Sequence, residues 1–162
     1  MISPESVTGV ARAWRVSANG NSKRTQHLDR TMNGIVPILI VGAGGFLGTV
    51  LRYLLSLAAQ RFSFTFPHGT LWANFLGCLT LGIVTALATE NDTFSPSTRL
   101  FLTTGVCGGF TTMSTFTCET FQFAQDAEYG YAALYCVATL AGCAAMFYLG
   151  LLAVKVVLKA QV

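Results

Sequence analysis

From residue 33 onward the chain alternates long apolar blocks with short polar breaks. The blocks run from about Ile35 to Leu57, Gly69 to Thr89, Thr98 to Phe123 and Tyr131 to Val157. Each is close to or above the roughly 20 helical residues that cross the hydrocarbon of a bilayer. The breaks carry turn and cap chemistry. Pro67-His68 precedes the second block, Ser95-Pro96 reads as an N-cap with a first-turn proline, and residues 126–130 turn into the fourth block. Trp72 suits an interfacial belt, and Lys155 and Lys159 anchor the end of the last block. The pattern predicts an all-α integral membrane protein with four transmembrane helices over residues 33–162. A protomer this small has little room for a solute pathway, so association of copies is expected. Residues 1–32 are polar and lack an apolar h-region, so they are not a signal peptide. They read as a disordered tail, as a basic arm touching anionic lipid, or as the product of a start upstream of Met32.

The third block departs from a plain span. Its centre, from Gly105 through Gly108-Gly109 to Thr111-Thr112-Met113-Ser114-Thr115-Phe116 and Glu119, holds glycines, a hydroxyl run, an aromatic ring and a carboxylate. In hydrocarbon a backbone break is tolerated only where it is buried in protein or lines a wet cavity. A broken helix also turns orphan carbonyls and amides toward the gap, where an ion can meet them. The pattern predicts a third helix broken at Gly108-Gly109 beside an ion site. The alternative is a kinked helix whose glycines only let neighbours approach.

Composition narrows the function classes. Charged residues make up 10% of the chain and hydrophobic residues 52%, far from the usual soluble balance. Five of the ten Lys and Arg (Arg12, Arg15, Lys23, Arg24, Arg30) precede Thr31, and the remainder carries five bases against five acids. The body has no basic stripe to neutralise phosphates, which argues against nucleic acid as a partner. With four spans the termini share a side. That side carries Arg99, Lys155 and Lys159 against Arg61 opposite, a weak bias that allows mixed orientation. Counting the extension favours termini inside. The five cysteines lie in apolar blocks without a CxxC or a histidine at ligand spacing, and read as small hydrophobes.

Other candidates lie in the remaining blocks. Ile38 to Val41 followed by Gly42, Gly45 and Gly48 imitates the strand and glycine loop of a short-chain dehydrogenase. The next acid, however, is Glu90, and no Tyr-x-x-x-Lys pair follows. Those glycines read as close helix packing. Asn74, strongly polar within the second block, either joins helices or offers amide donors to an anion. Tyr135, Thr139 and Cys143 recur every four residues and share one helix face. That face is either a polar stripe that hands on an ion or a packing surface. Arg52 is an intramembrane arginine and a functional candidate on that ground.

Taken in order, Gly44-Gly45-x-x-Gly48-x-x-x-Arg52-Tyr53, Gly69-Thr70-Leu71-x-x-Asn74-x-x-Gly77 and Gly105-x-x-Gly108-Gly109-x-Thr111-Thr112-x-Ser114-Thr115-Phe116-x-x-Glu119 resemble the CrcB/Fluc fluoride channels over about Asn33 to Lys159. The resemblance implies an antiparallel, dual-topology homodimer in the cell membrane, with two pores exporting fluoride passively. It implies a structural sodium ion at the dimer centre, held by the backbone carbonyls of Gly108 and Thr111. It further implies that Asn74, Ser114 and Thr115 donate to the anion and that Phe116 presents a positively polarised ring edge. Tyr135, Thr139, Cys143 and Glu119 would form a polar track, with Arg52 at a vestibule. Two positions depart from the family. Met113 replaces the first phenylalanine of the usual Thr-Thr-Phe-Ser-Thr-Phe and has no positive ring edge. Cys143 stands where serine is common and donates more weakly than a hydroxyl. A small multidrug-resistance-like dimeric transporter is the alternative, but it needs a glutamate within the first helix, and the first block holds no acid. A non-transporting assembly subunit leaves Asn74 and the glycine break without a use. No nucleotide site is indicated, and the chain reads as a non-enzyme.

Overall fold

A computed structural model describes residues 34–61, 66–90 and 94–160. Among them helices are joined by short turns, with no strand. By its contacts the chain divides into Met1–Pro37 and Ile38–Val162. The first unit is described only from residue 34, and the expected extension over 1–32 lies outside the described residues. The helical body is α1 (Ile35–Gln60), α2 (His68–Glu90), a composite third segment and α6 (Tyr129–Lys159). The composite contains α3 (Pro96–Leu100), a π-helical run (Phe101–Cys107), α4 (Gly108–Phe110) and α5 (Met113–Gln125). Three uninterrupted stretches, Ile35–Gln60, His68–Thr89 and Tyr129–Lys159, are long and apolar enough to cross a membrane. This is an all-α protein with several membrane-spanning-capable helices.

The local signals act as their chemistry dictates. Ser95 Oγ accepts the Thr98 N–H at 3.1 Å ahead of Pro96, capping α3. At the end of α5 the Glu128 N–H reaches the Phe123 carbonyl at 2.8 Å and the Ala127 N–H reaches that of Ala124 at 3.2 Å. This is a Schellman closure, with Ala127 at φ 59° where glycine is usual. It lets α6 begin at once.

Glycine rows set how closely the helices pack. A Cβ on Gly44 would lie 2.7 Å from the Phe101 carbonyl oxygen and 2.9 Å from Gly105 Cα, and one on Gly109 would lie 2.5 Å from the Gly45 carbonyl oxygen. One on Gly48 would overlap the Val106 carbonyl. Two small-xxx-small rows, Gly44/Gly48 and Gly105/Gly109, therefore face each other, which is how helices approach without a hydrophobic drive in lipid. α2 and α6 are similarly joined where Gly82 meets the Phe147 carbonyl and Gly150 lies against Leu79 and Ile83.

The third segment corrects the predicted break. Gly108 and the residues on either side are helical, with Gly108 at φ −62°, ψ −39°. The chain instead extends at Thr111 (φ −83°, ψ 154°) and Thr112 (φ −149°, ψ 116°). Gly109 is small because Gly45 presses on it; the helix stops because Thr112 caps the next one. Thr112 Oγ1 accepts the Thr115 N–H at 3.2 Å, so the hydroxyl run, not the glycine pair, carries the break.

Candidate functional site

The extended dipeptide is held from two sides. From α2, Asn74 Oδ1 accepts the Thr112 N–H at 2.9 Å and its Nδ2 donates to the Thr112 carbonyl at 3.3 Å. The side-chain amide thus pairs with both backbone polar groups of one residue, as a neighbouring strand would. From α1, Arg52 Nε and Thr49 Oγ1 both donate to the Gly109 carbonyl at 3.4 Å. These contacts redirect the backbone. The Thr112 N–H, which an unbroken helix would return to Gly108, is taken by Asn74. The Thr115 N–H, which would return to Thr111, is taken by the Thr112 hydroxyl. The carbonyls from Gly108 to Thr111 all lose the amide four residues on, and Arg52 and Thr49 take that of Gly109.

Beyond the break, a carboxylate joins three elements. Glu119 of α5 accepts the Thr70 hydroxyl on Oε1 and the Tyr135 hydroxyl on Oε2, each at 2.7 Å. Tyr135 is fully buried at 0% exposure among rings. Phe116 lies 5.1 Å away centroid to centroid, and Phe66 meets it edge-on at 5.4 Å. Phe116 is buried as well, so its edge is a fixed part of the wall.

Two side-chain columns face each other across α2 and α6. Thr70 and Tyr135 share Glu119, and Gly82 meets Phe147. In each pair the numbers differ by 65, so the helices run parallel in one register. That register sets Asn74 (7% exposed) level with Thr139 (4% exposed). Among the described residues, the buried side-chain polar atom without a hydrogen-bond partner is Thr139 Oγ1. Other helical threonines close on the carbonyl four residues back, as Thr103, Thr117 and Thr120 do at 2.8 to 2.9 Å. Thr139 does not, and burying an unpaired hydroxyl is costly.

The structure thus gathers Phe116 and Glu119 of α5 around Tyr135, with Asn74, Thr139 and Cys143 on the facing columns of α2 and α6. Ser114 and Thr115 stand beside it, with hydroxyls 3.2 and 3.0 Å from Thr112 Oγ1. Met113 stands apart at 65% exposure. Arg52 lies on the opposite side of the break with Gly109. Sequence reasoning passed over Thr70, Cys78 and Thr112. The first two were within reach, because Thr70, Asn74 and Cys78 share the four-residue spacing that singled out the column on α6.

The sequence that builds this site matches a known family. Residues 39–151 match the family model described as CrcB-like protein, Camphor Resistance (CrcB). A Chlorobium chlorochromatii protein named fluoride-specific ion channel FluC is 45% identical over 118 residues, 73% of this chain and 92% of that one. A protein of the same name from Chlorobaculum tepidum is 46% identical over 118 residues, covering 73% and 94%. One from Clostridium perfringens is 50% identical over 90 residues, covering 55% and 70%. On the match across its helical body, the chain belongs to the CrcB family.

Proposed function

We propose that the protein is a fluoride channel that lets cytosolic fluoride out passively through the column between α2 and α6. The observation that carries this reading is the unpaired, buried Thr139 hydroxyl, level with the Asn74 amide. Fluoride is small and strongly hydrated, so a pore must replace its water with donors. A buried O–H with no protein partner is a donor held in reserve for a transient guest. The names of the relatives supply the same anion independently.

On this reading the composite segment from Pro96 to Gln125 is the fourth span, with its irregular backbone protected by Asn74 and Arg52. Two copies pair antiparallel to make two pores. The exposed apolar side chains of α1 (Ile38, Leu39, Phe46) and α6 (Leu140, Leu149, Leu152) suit lipid and a second copy. A sodium ion suits the Gly108 and Thr111 carbonyls. Among the described residues no group of three or more His, Cys, Asp and Glu comes together, whereas a hard cation also takes carbonyl oxygen, and these carbonyls have lost their amide donors. The ion would supply fixed positive charge at the helix break. Arg52, engaged with Gly109, adds charge at the same break and supports it mechanically. Met113, exposed on α5 and apart from the column, would reach the path only from the side of a second copy, and Ser114 and Thr115 donate beside the break.

Thr139→Val tests the reading through two effects of opposite sign. Removing an unpaired buried hydroxyl leaves the melting temperature of the detergent-solubilised protein unchanged or raised. Fluoride efflux from proteoliposomes falls, and Thr139→Ser restores it. A Val variant that conducts like the parent would take Thr139 out of the path.

A further inference from the structure

We infer that Phe66 is the ring that seals the column at the start of α2, and that displacing it limits how fast fluoride leaves. The seal stands on geometry alone; the rate rests on the conduction path proposed above.

The two ends of the column are closed in different ways. Past Asn74 and Thr139, α2 and α6 come into backbone contact. A Cβ on Gly150 would lie 2.5 Å from the Leu79 carbonyl oxygen and 3.1 Å from Gly82 Cα, and one on Gly82 would overlap the Phe147 carbonyl. An ion could pass there only by parting two close-packed helices, so that end is shut. At the other end the last polar level is Thr70 and Tyr135 on Glu119, and what lies over it is aromatic. Phe66 meets the Tyr135 ring edge-on at 5.4 Å and lies 6.1 Å from Phe123, which stacks on Tyr131 at 6.1 Å. Under these rings Tyr135 has 0% exposure, so an anion handed along the column stops there until a ring moves. Phe66 and Tyr131 stand four residues before Thr70 and Tyr135, one further step of the same spacing.

The three covering rings differ in how they are held. Phe123 belongs to α5 and Tyr131 to α6, with helical backbone on both sides. Phe66 precedes α2, and its carbonyl accepts the His68 N–H at 2.8 Å. Pro67 restricts the backbone of the residue before it, so the freedom left to Phe66 is in its side chain. Its ring is only partly buried and can swing aside without unwinding a helix. Phe66 is therefore the ring that opens.

Thr70→Cys puts a thiol beneath the seal. In detergent, methyl methanethiosulfonate should modify that position slowly, and several times faster once Phe66→Ala is added. Peptide mass mapping separates this modification from that of the five native cysteines. In proteoliposomes Phe66→Ala alone should release fluoride faster than the parent although its melting temperature falls. Phe66→Trp, which fills the same place with a larger ring, should release it more slowly. A purely structural Phe66 would lower stability and efflux together. Where Phe66→Ala does not fold, Phe66→Leu takes its place in both measurements. Equal modification with and without the Phe66 change would overturn the seal. Efflux that falls with the smaller side chain, or that neither variant alters, would overturn the rate. If the parent releases no fluoride, the channel reading fails and the rate with it, while the modification still decides the seal.

Discussion

Asn74→Asp removes most fluoride efflux. One carboxylate oxygen can still accept the Thr112 N–H, but the other replaces the Nδ2 donor that lies 3.3 Å from the Thr112 carbonyl. Two acceptors then face each other at a buried position, which costs about 1–3 kcal/mol for the unmet pairing. A negative charge also stands level with Thr139, where an anion would pass. Since about 1.4 kcal/mol changes an equilibrium tenfold, the flux should fall about tenfold or more. Ion-electrode recordings from proteoliposomes check this, with gel filtration confirming a folded particle. Asn74→Leu separates the two causes. It loses the clamp without adding charge, so it should destabilise the break yet impede fluoride less per unit of lost stability. Near-normal flux in the Asp variant would remove Asn74 from both roles.

Glu119→Ala should lower both melting temperature and efflux. It strands two buried hydroxyls, Thr70 and Tyr135, each now 2.7 Å from a carboxylate oxygen. Hydrogen bonds to a charged group contribute roughly 1.5–3 kcal/mol each, so the loss is larger than for a surface ion pair. Glu119→Gln keeps one carbonyl acceptor and should recover part of the stability. A double-mutant cycle makes the claim sharper. If the network is real, Tyr135→Phe in the Ala background costs less than in the parent, because its partner has already gone. Additive effects would show that Glu119 acts elsewhere.

How much of this was legible in the sequence differs from element to element. Hydrophobic period and length placed α1, α2 and α6 within a few residues, because a span must cover a fixed thickness whatever its neighbours do. The Ser95-Pro96 start was equally plain, since a cap is a local device. The break was placed three residues early. Glycine marks two different needs, freedom of backbone and thinness of side chain, and at Gly109 the need is thinness against Gly45. Only the facing helix shows which applies. The π-helical run over Phe101–Cys107 had no local mark at all. The α6 column emerged from its four-residue spacing, whereas its partner column of Thr70, Asn74 and Cys78 was seen only at Asn74. A threonine or cysteine in an apolar helix looks like packing until the register across the interface is known.

The central claim is passive, selective passage of fluoride. The purified chain, reconstituted in liposomes loaded with fluoride or with chloride, tests it most directly through the ion released into the external medium. The account predicts rapid release of fluoride and retention of chloride, with Thr139→Val slowed. Retention of both ions by well-folded, reconstituted protein, or equal release of both, would contradict it.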